Sequence, residues 1–245
     1  MRGSGRLETV TPSAFSQIVT EFWGIDGVFE AASDECLVVV DPSLREDLSL
    51  SLLSVAGGPR IAAVTPAFAA GLGVSHSTCI GVDDLRSRVA RAGCDFHGAD
   101  HLFYLPEREI LPSASPAADI RMLSSSDAEA FARLCEEAPE DDLEDAFVEL
   151  DHWLVCGAFT ERGLVSVASM YPWQGSRLAD VGVLTLPAHR GQGHARRVVL
   201  AIAAEARRRR YEPQYRCQLD NLASVRLAAS AGFQRFGAWD VVTAR

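Results

Sequence analysis

Apolar and polar positions alternate along the C-terminal half in a way that predicts short strands separated by helices. The strand-like runs occupy residues 120–123, 153–160, 164–171, 178–186, 215–219 and 238–243. Turn residues separate the second, third and fourth runs, which predicts an antiparallel meander. Apolar residues spaced three and four apart predict helices over 124–138, from the end of the 189–195 loop to about 210, and over 222–232. The predicted order is β, α, three antiparallel β, α, β, α, β.

The N-terminal half has a less regular pattern. β-like runs at 36–41 and 60–65 alternate with helical patterns at 43–56 and 82–93, the last ended by Gly93. The Pro-, Ser- and Ala-rich stretch 111–119 is typical of a linker. We therefore predict an α/β protein with a mixed sheet. A smaller N-terminal α/β region would occupy residues 1–115 and a C-terminal domain residues 119–245.

Composition narrows the class of protein. The 245 residues are 48% hydrophobic and 23% charged, as in an ordinary globular protein. No apolar run reaches the roughly 20 residues that cross a bilayer, and no signal peptide opens the chain, so we expect a cytoplasmic protein. A net charge of −10 disfavours nucleic acid as a partner. We expect a monomer or a homodimer.

Metal-ligand spacing is absent from the sequence. The six cysteines and six histidines are dispersed, without a CxxC pair or an HExxH motif. We expect reduced thiols and no metal.

The stretch "HRGQGHARRVV", residues 189–199, places two glycines between a strand and a helix. The first N–H groups of a helix lack internal partners and carry partial positive charge, so this arrangement predicts an anion site to which Arg190 adds a guanidinium. A Rossmann fingerprint fails because Arg196 stands where the third glycine belongs and too few strands follow. A Walker loop fails because the chain contains no lysine. A glycine turn without a ligand remains the plain alternative.

Two linked motifs resemble the GNAT superfamily of acyl-CoA-dependent N-acyltransferases. "LTLPAHRGQGHA" (184–195) resembles the acyl-CoA motif R/Q-x-x-G-x-G/A, with Arg190, Gly193 and Ala195 at its defined positions. "NLASVRLAASAGF" (221–233) resembles the family's second motif, N-x-x-S-x-x-L-x-x-x-x-G-F. The resemblance covers residues 119–245. The N-terminal region also resembles, more distantly, the degenerate or accessory half found in some bacterial GNAT proteins.

The resemblance implies acetyl-CoA as co-substrate and assigns roles to particular residues. Strand backbone would hold the pantetheine arm, and the Arg190 side chain with the amides of the loop would hold the phosphates. Asn221 would contact the cofactor, and Ser224 would cap or line the following helix; N-capping is the structural alternative for both. The implied cofactor residues are Leu184, Thr185, Leu186, Arg190, Gly191, Gln192, Gly193, His194, Ala195, Asn221 and Ser224.

The family's catalytic pattern is incomplete here. A carboxylate on the fourth strand usually takes the acceptor's proton, and Asp180 occupies that place, on one face with Gly182, whose missing side chain would leave room for a substrate. Glu149 and His152 are alternatives. The usual acid is a tyrosine where this chain has Ala228, which leaves Ser230, His194 or water as substitutes.

We therefore expect an N-acetyltransferase that transfers an acetyl group directly from acetyl-CoA to an amine. A non-catalytic acyl-CoA-binding protein and an acyltransferase for longer chains are the alternatives. The segment 136–151 carries nine carboxylates and no basic residue, which predicts a cationic acceptor or, more plainly, a solvated helix face.

Overall fold

A computed structural model describes residues 14–25, 34–108 and 119–244. The predicted linker lies outside these ranges except for Asp119. The helices within the described ranges are α1 (Gln17–Trp23), α2 (Pro66–Leu72), α3 (Val82–Arg91), α4 (Ala128–Glu137), α5 (Glu140–Ala146), α6 (His194–Arg208) and α7 (Leu222–Ser230). The strands are β1 (Glu35–Val40), β2 (Leu48–Val55), β3 (Arg60–Val64), β4 (Cys79–Gly81), β5 (Asp100–Tyr104), β6 (Ile120–Met122), β7 (Leu154–Thr160), β8 (Gly163–Pro172), β9 (Leu178–Thr185), β10 (Glu212–Gln218) and β11 (Gln234–Thr243).

All of these strands belong to one mixed sheet, in the order β4-β1-β3-β2-β11-β5-β10-β9-β8-β7-β6. The mixed α/β class predicted from the sequence is confirmed. β5, from the N-terminal region, lies between β10 and β11 and pairs antiparallel with both. The division at residues 115–119 stays a prediction, and across it the two regions share one continuous sheet.

The C-terminal strands follow the predicted order. β7, β8 and β9 form an antiparallel meander, and β9 then pairs parallel with β10 through the crossover helix α6. Ser124 and Asp127 form a capping box at the start of the α4 segment. Three helices had no predicted bounds: α1, α2, and α5, which forms inside the acidic segment.

Helices cover both faces of this half of the sheet. On one face α6 buries the apolar stripe formed by Val198, Val199, Ile202 and Ala206 against β7–β10. On the other face α4 and the end of α5 pack over β7, β8 and β9 through Leu134, Val148 and Leu184. β9 is buried from Leu178 to Val181, and its partly exposed positions lie from Gly182 onward.

The helix predicted over residues 43–56 is wrong, because the structure has strand β2 there. Leu48, Leu50 and Leu52 are buried while the intervening Ser49 and Ser51 are less so. That two-residue period is the strand pattern. Leucine's preference for helix masked it, and pairing with β3 and β11 decides the outcome.

Aromatic residues from both halves of the chain pack together against the middle of the sheet. Phe15, Tyr104, Phe236 and Trp239 form one cluster with Trp173, which follows β8. No helix in the described parts of the chain has the length and apolarity needed to span a membrane.

Candidate active site

Strands β9 and β10 separate partway along their length. They pair only from Leu178 to Val181 on β9 and from Glu212 to Tyr215 on β10. β9 continues to Thr185 while pairing on its other side with β8. Within the described residues, the β10-facing edge of β9 from Gly182 onward has no strand partner. An extended ligand bearing amide groups can pair with such an edge as a further strand does.

The open edge leads into the glycine loop. Gly191 and Gly193 have φ of 74° and 80°, a region that side chains other than glycine rarely adopt. A Cβ on either glycine would meet nothing within 4 Å, so the space before the loop is open. α6 begins at His194, and the N–H groups of its first turn, with the positive end of the dipole of this fifteen-residue helix, point into this space. The loop and helix therefore form the predicted anion site.

Three elements enclose the cavity in front of this loop, which has a volume of about 490 Å³. Val183, Leu184 and Thr185 form the strand wall, and α7 forms the opposite wall from Asn221 to Ser230. Asp142, Asp145 and Ala146 of α5 form the third side. A volume in this range suits a ligand of cofactor size that is partly exposed to solvent.

Most of the cofactor residues predicted from the sequence line this cavity. They are Leu184, Thr185, Arg190, Gly191, Gly193, His194, Ala195, Asn221 and Ser224. Gln192 is exposed, bonds back to the Ala188 carbonyl at 3.3 Å and does not line it. Leu186 does not line it either, because its side chain is buried and its N–H donates to the Val165 carbonyl. The strand wall therefore begins at Val183, one residue before the predicted run.

Arg190 already has a protein partner in this structure. Its Nη2 lies 2.5 Å from the Asp142 carboxylate on α5, and its Nε donates to the Thr185 carbonyl at 3.2 Å. Asp142 therefore competes with any anion for this guanidinium. Arg196, in the first turn of α6, lines the cavity as well and donates from Nε to the Ser230 carbonyl at 2.7 Å.

The second motif contributes a helix cap and a cavity wall at the same residues. Asn221 Oδ1 accepts a hydrogen bond from the Ser224 N–H at 3.0 Å, so the capping role of Asn221 is present. Tyr215 reaches α7 from β10, where Ser224 hydrogen-bonds its phenol. Burial nevertheless raises the pKa of Tyr215 to about 12, which keeps the phenol protonated at neutral pH.

The two side chains that could substitute for the missing acid differ in their surroundings. Ala228, on the buried face of α7, offers no functional group itself. Ser230 lines the cavity but donates its hydroxyl to the Leu227 carbonyl at 2.8 Å. His194 Nδ1 lies 2.9 Å from Arg197 Nη2, and burial, then the Arg197 charge, lower the His194 pKa.

Asp180 lies in a buried polar network instead of an open pocket. Its carboxylate accepts hydrogen bonds from Tyr171 Oη at 3.2 Å, Gln214 Nε2 at 3.0 Å and Arg216 Nη2 at 3.1 Å. Arg216 also donates to Asp100 on β5 at 2.7 Å. These three donors take three of the roughly four acceptor positions that a carboxylate offers.

The network extends into the N-terminal region. The Tyr104 hydroxyl on β5 donates to Gln214 and accepts from Trp23 Nε1 of α1 at 2.8 Å. Tyr171, Gln214 and Arg216 were not among the residues predicted to form a site. Arg216 was the available signal of a polar network, because an arginine inside the strand-like run 215–219 needs partners when it is buried.

The space expected at Gly182 is filled. A Cβ built there would come within 2.1 Å of the Ala146 carbonyl oxygen, because the end of α5 lies directly on β9. The missing side chain of Gly182 makes room for the α5 backbone, so the expectation of substrate space at this point is wrong.

Glu149 and His152, the other candidate bases, are neighbours beyond the end of α5. His152 Nε2 lies 3.5 Å from Glu149 Oε2, and His152 Nδ1 lies 2.8 Å from Ser169 Oγ on β8. Phe147, whose side chain is exposed, and Tyr171 lie against the His152 ring. In the described ranges, no three His, Cys, Asp or Glu side chains gather as metal ligands do.

Comparison with known proteins identifies the domain that carries this cavity. Residues 120–233 match the model of the acetyltransferase (GNAT) family. The chain therefore carries a GNAT acetyltransferase domain, which confirms the family and the enzyme class predicted from the two motifs. A search of curated proteins found no match to the chain.

Solved structures with a similar arrangement include three described as acetyltransferases. A putative GNAT acetyltransferase from Novosphingobium aromaticivorans is 21% identical over 62% of this chain and 68% of its own, with a TM-score of 0.45. A GNAT acetyltransferase from Colwellia psychrerythraea is 16% identical, with a TM-score of 0.48, over 66% of this chain and 63%, less than two thirds, of its own. A putative acetyltransferase from Salmonella typhimurium, solved with acetyl-CoA, is 21% identical over 51% of this chain and 92% of its own, with a TM-score of 0.39.

Proposed function

We propose that this protein transfers an acetyl group from acetyl-CoA directly to a primary amine. The observation that carries the proposal is the continuous path formed by the unpaired edge of β9, the glycine loop and the start of α6. A pantetheine arm has amides that match the strand edge, and a pyrophosphate has the charge that matches the loop. The chemistry of CoA fits the two in this order.

The pantetheine arm would pair with backbone groups at Val183, Leu184 and Thr185. The pyrophosphate would accept hydrogen bonds from the amides of residues 191–195 and a charge-assisted pair from Arg190 after Arg190 leaves Asp142. The thioester would then lie near Gly182, where β9 departs from β10. The acyl carbon would then lie at this edge of β9, next to the sheet face that carries Phe147 and His152.

Direct transfer requires a neutral amine, a positioned thioester and a route for the departing thiolate's proton. Asp180 and Glu149 are the proton acceptors predicted from the sequence, and both stay predictions. The donor network around Asp180 favours a structural role for that residue. Nothing at Ala228 replaces the usual tyrosine, and a thiolate is stable enough to leave with water as its proton source.

We expect the acceptor to carry a positive charge and to bind near Glu149. Only part of the acidic segment faces that region, because Asp142 and Asp145 line the cofactor cavity instead. The attraction for a positively charged amine therefore rests on Glu149 and Asp151 and not on the whole segment.

Two measurements test the proposal. Calorimetry with CoA and with acetyl-CoA measures binding, and release of free CoA thiol measures turnover with spermidine, kanamycin A, tyramine and glycinamide as acceptors. Binding with acceptor-dependent thiol release supports the proposal. Binding without release for any amine favours a non-catalytic acyl-CoA-binding protein, and faster release from butyryl- or hexanoyl-CoA favours a longer acyl donor. Absence of CoA binding contradicts the proposal and each of these alternatives.

A further inference from the structure

One histidine is held in a fixed orientation beside the point where β9 leaves β10. His152 Nδ1 lies 2.8 Å from Ser169 Oγ, and the ring centroids of Tyr171 and Phe147 lie 5.0 Å and 5.3 Å from its own. Only 10% of the His152 side chain is exposed. Because Ser169 occupies one nitrogen and two aromatic rings hold the ring plane, Nε2 is the nitrogen left facing Glu149.

The position of this imidazole follows from strand register. Ser169 on β8 is directly paired with Gly182, the first residue of β9 beyond its last pairing with β10. Neighbouring strands lie about 4.8 Å apart, so Ser169, which contacts His152, lies about one strand spacing from Gly182 and the proposed acyl site. The carbonyl of Ala146 on Gly182 shows that the end of α5 lies over the same point.

We propose that His152 Nε2 takes the proton from the acceptor amine, while Ser169 accepts a hydrogen bond from Nδ1–H and Glu149 attracts the ammonium form. This inference rests on the proposed acetyl transfer and names the residue that prepares its nucleophile. Glu149 is suited to the attracting role because its side chain is 52% exposed and its carboxylate lies 3.5 Å from Nε2.

Burial, opposed only in part by the nearby charged groups, leaves the His152 imidazole neutral and able to accept a proton. Burial lowers the His152 pKa, and the nearby Glu149 and Asp151 carboxylates oppose that shift without cancelling it. Tyr171 on β8 stays neutral because burial raises its pKa to about 12. Asp180, which lies beyond Tyr171, is paired with Arg216. At pH 7 the imidazole is therefore neutral, with one nitrogen protonated and the other basic.

The proton balance of the reaction is as follows. The bound ammonium gives one proton to His152 Nε2, and His152 later releases it to solvent. The neutral amine attacks the thioester carbon; the C–N bond forms and the C–S bond breaks. The second N–H proton passes through water to the departing sulfur, which leaves as the free thiol.

The first test measures the tautomer of His152 in the unmodified protein by long-range 1H–15N correlation. We expect protonated Nδ1 and unprotonated Nε2 at pH 7, with Nε2 titrating below the ordinary histidine range. A His152 with protonated Nε2 and bare Nδ1 would overturn the proposal whether or not any acceptor is known.

The second test uses kinetics with the fastest acceptor among spermidine, kanamycin A, tyramine and glycinamide. His152→Gln should lower kcat/KM at pH 7 by about 10² to 10⁴-fold, with the deficit shrinking about tenfold per pH unit toward the pKa of the amine. Affinity for CoA should not change. His97→Gln, which changes an exposed histidine bonded to Thr243 at the end of β11, is the matched control and should behave as wild type.

Failure of this proposal is distinct from failure of acetyl transfer itself. If the wild type transfers acetyl groups and His152→Gln retains its rate at pH 7, His152 is structural and the proposal is overturned. The same conclusion follows if Asp180→Asn alone reproduces the pH-dependent loss. If the wild type binds no CoA, the proposed function fails, while the tautomer measurement still decides the state of His152.

Discussion

The two ends of β9 differ in how they satisfy their polar groups. At the C-terminal end, the strand edge from Val183 to Thr185 and the loop amides at Gly191 and Gly193 face an open cavity. At the N-terminal end, Asp180 is buried and accepts three hydrogen bonds from protein side chains. Backbone groups without partners cost stability when they are buried. Unpaired backbone groups that face a cavity at the C-terminal end of β9 therefore indicate a binding site there.

The two ends also differ in the length of chain that builds them. The cofactor end comes mainly from residues 183–196, with α5 and α7 as walls. The Asp180 end combines α1, β5, β8, β9 and β10, from Trp23 to Arg216. A binding loop built from one stretch can be found by motif, whereas a network built from five elements depends on the whole fold. Substitutions at the two ends should therefore differ in their effects on stability and on CoA affinity, and they follow from the largest expected effect to the smallest.

The largest effect is expected from Arg216→Met, which removes the cation between Asp100 and Asp180. Two carboxylates would then remain partly buried without a counter-charge, so the free energy of unfolding should fall by about 3 kcal/mol. Urea denaturation measures it, with Arg226→Met on the exposed face of α7 as control. CoA affinity of the folded variant should stay near wild type. A loss below about 1 kcal/mol would mean that water reaches this network, and the contrast between the two ends would fail.

Arg190→Glu should have the opposite profile. Replacing the loop guanidinium by a carboxylate should weaken CoA binding by about 2 kcal/mol, close to 30-fold in Kd, because a charge-assisted phosphate contact becomes repulsive. Stability should hardly change, because the side chain is half exposed. Calorimetry measures the affinity, and Arg226→Glu applies the same charge change outside the cavity. Equal affinity in the two variants would place the phosphates elsewhere.

Asn221→Ala should affect both properties. Removing the cap of α7 should cost about 1 kcal/mol of stability, and the loosened wall should weaken CoA modestly. Asn221→Asp separates the two roles, because it keeps the cap but adds a negative charge at the cavity. We expect wild-type stability in thermal unfolding and weaker CoA binding for this second variant. Full CoA affinity in it would leave Asn221 with a capping role only.

The smallest effect is expected from Asp142→Asn, and its direction is the informative part. Freeing Arg190 from its carboxylate partner should tighten CoA by about 0.5 to 1 kcal/mol, the range of a surface ion pair. Asp141→Asn, the exposed neighbour outside the cavity, should change less. Weaker CoA binding in Asp142→Asn would show that α5 supports the cofactor instead of competing with it.

The parts of the fold that depend on local patterns were predictable from the sequence. The strands β6 to β9, the α6 stripe and the capping box at Ser124 each follow from periodicity or spacing within one segment. The phosphate loop was predictable for the same reason, since glycine conformation and helix polarity are local properties.

Long-range contacts decided the rest. The leucines at 48, 50 and 52 favour helix by themselves and form a strand because β3 and β11 pair with them. The insertion of β5 between β10 and β11 brings Asp100 and Tyr104 to the Asp180 network, and no spacing rule foretells such a pairing. Asp180 was placed on the correct strand, but its donors come from residues distant in sequence, so its surroundings could not be predicted.

A crystal structure of the complex with CoA tests the central claim most directly. The account predicts pantetheine amides paired with Val183 to Thr185, the pyrophosphate within hydrogen-bond distance of the amides of Gly191 to Ala195, and the sulfur near Gly182. It also predicts that Arg190 has exchanged Asp142 for phosphate oxygen. Density for CoA at any other surface, with the β10-facing edge of β9 still unpaired beyond Val181, would contradict the account.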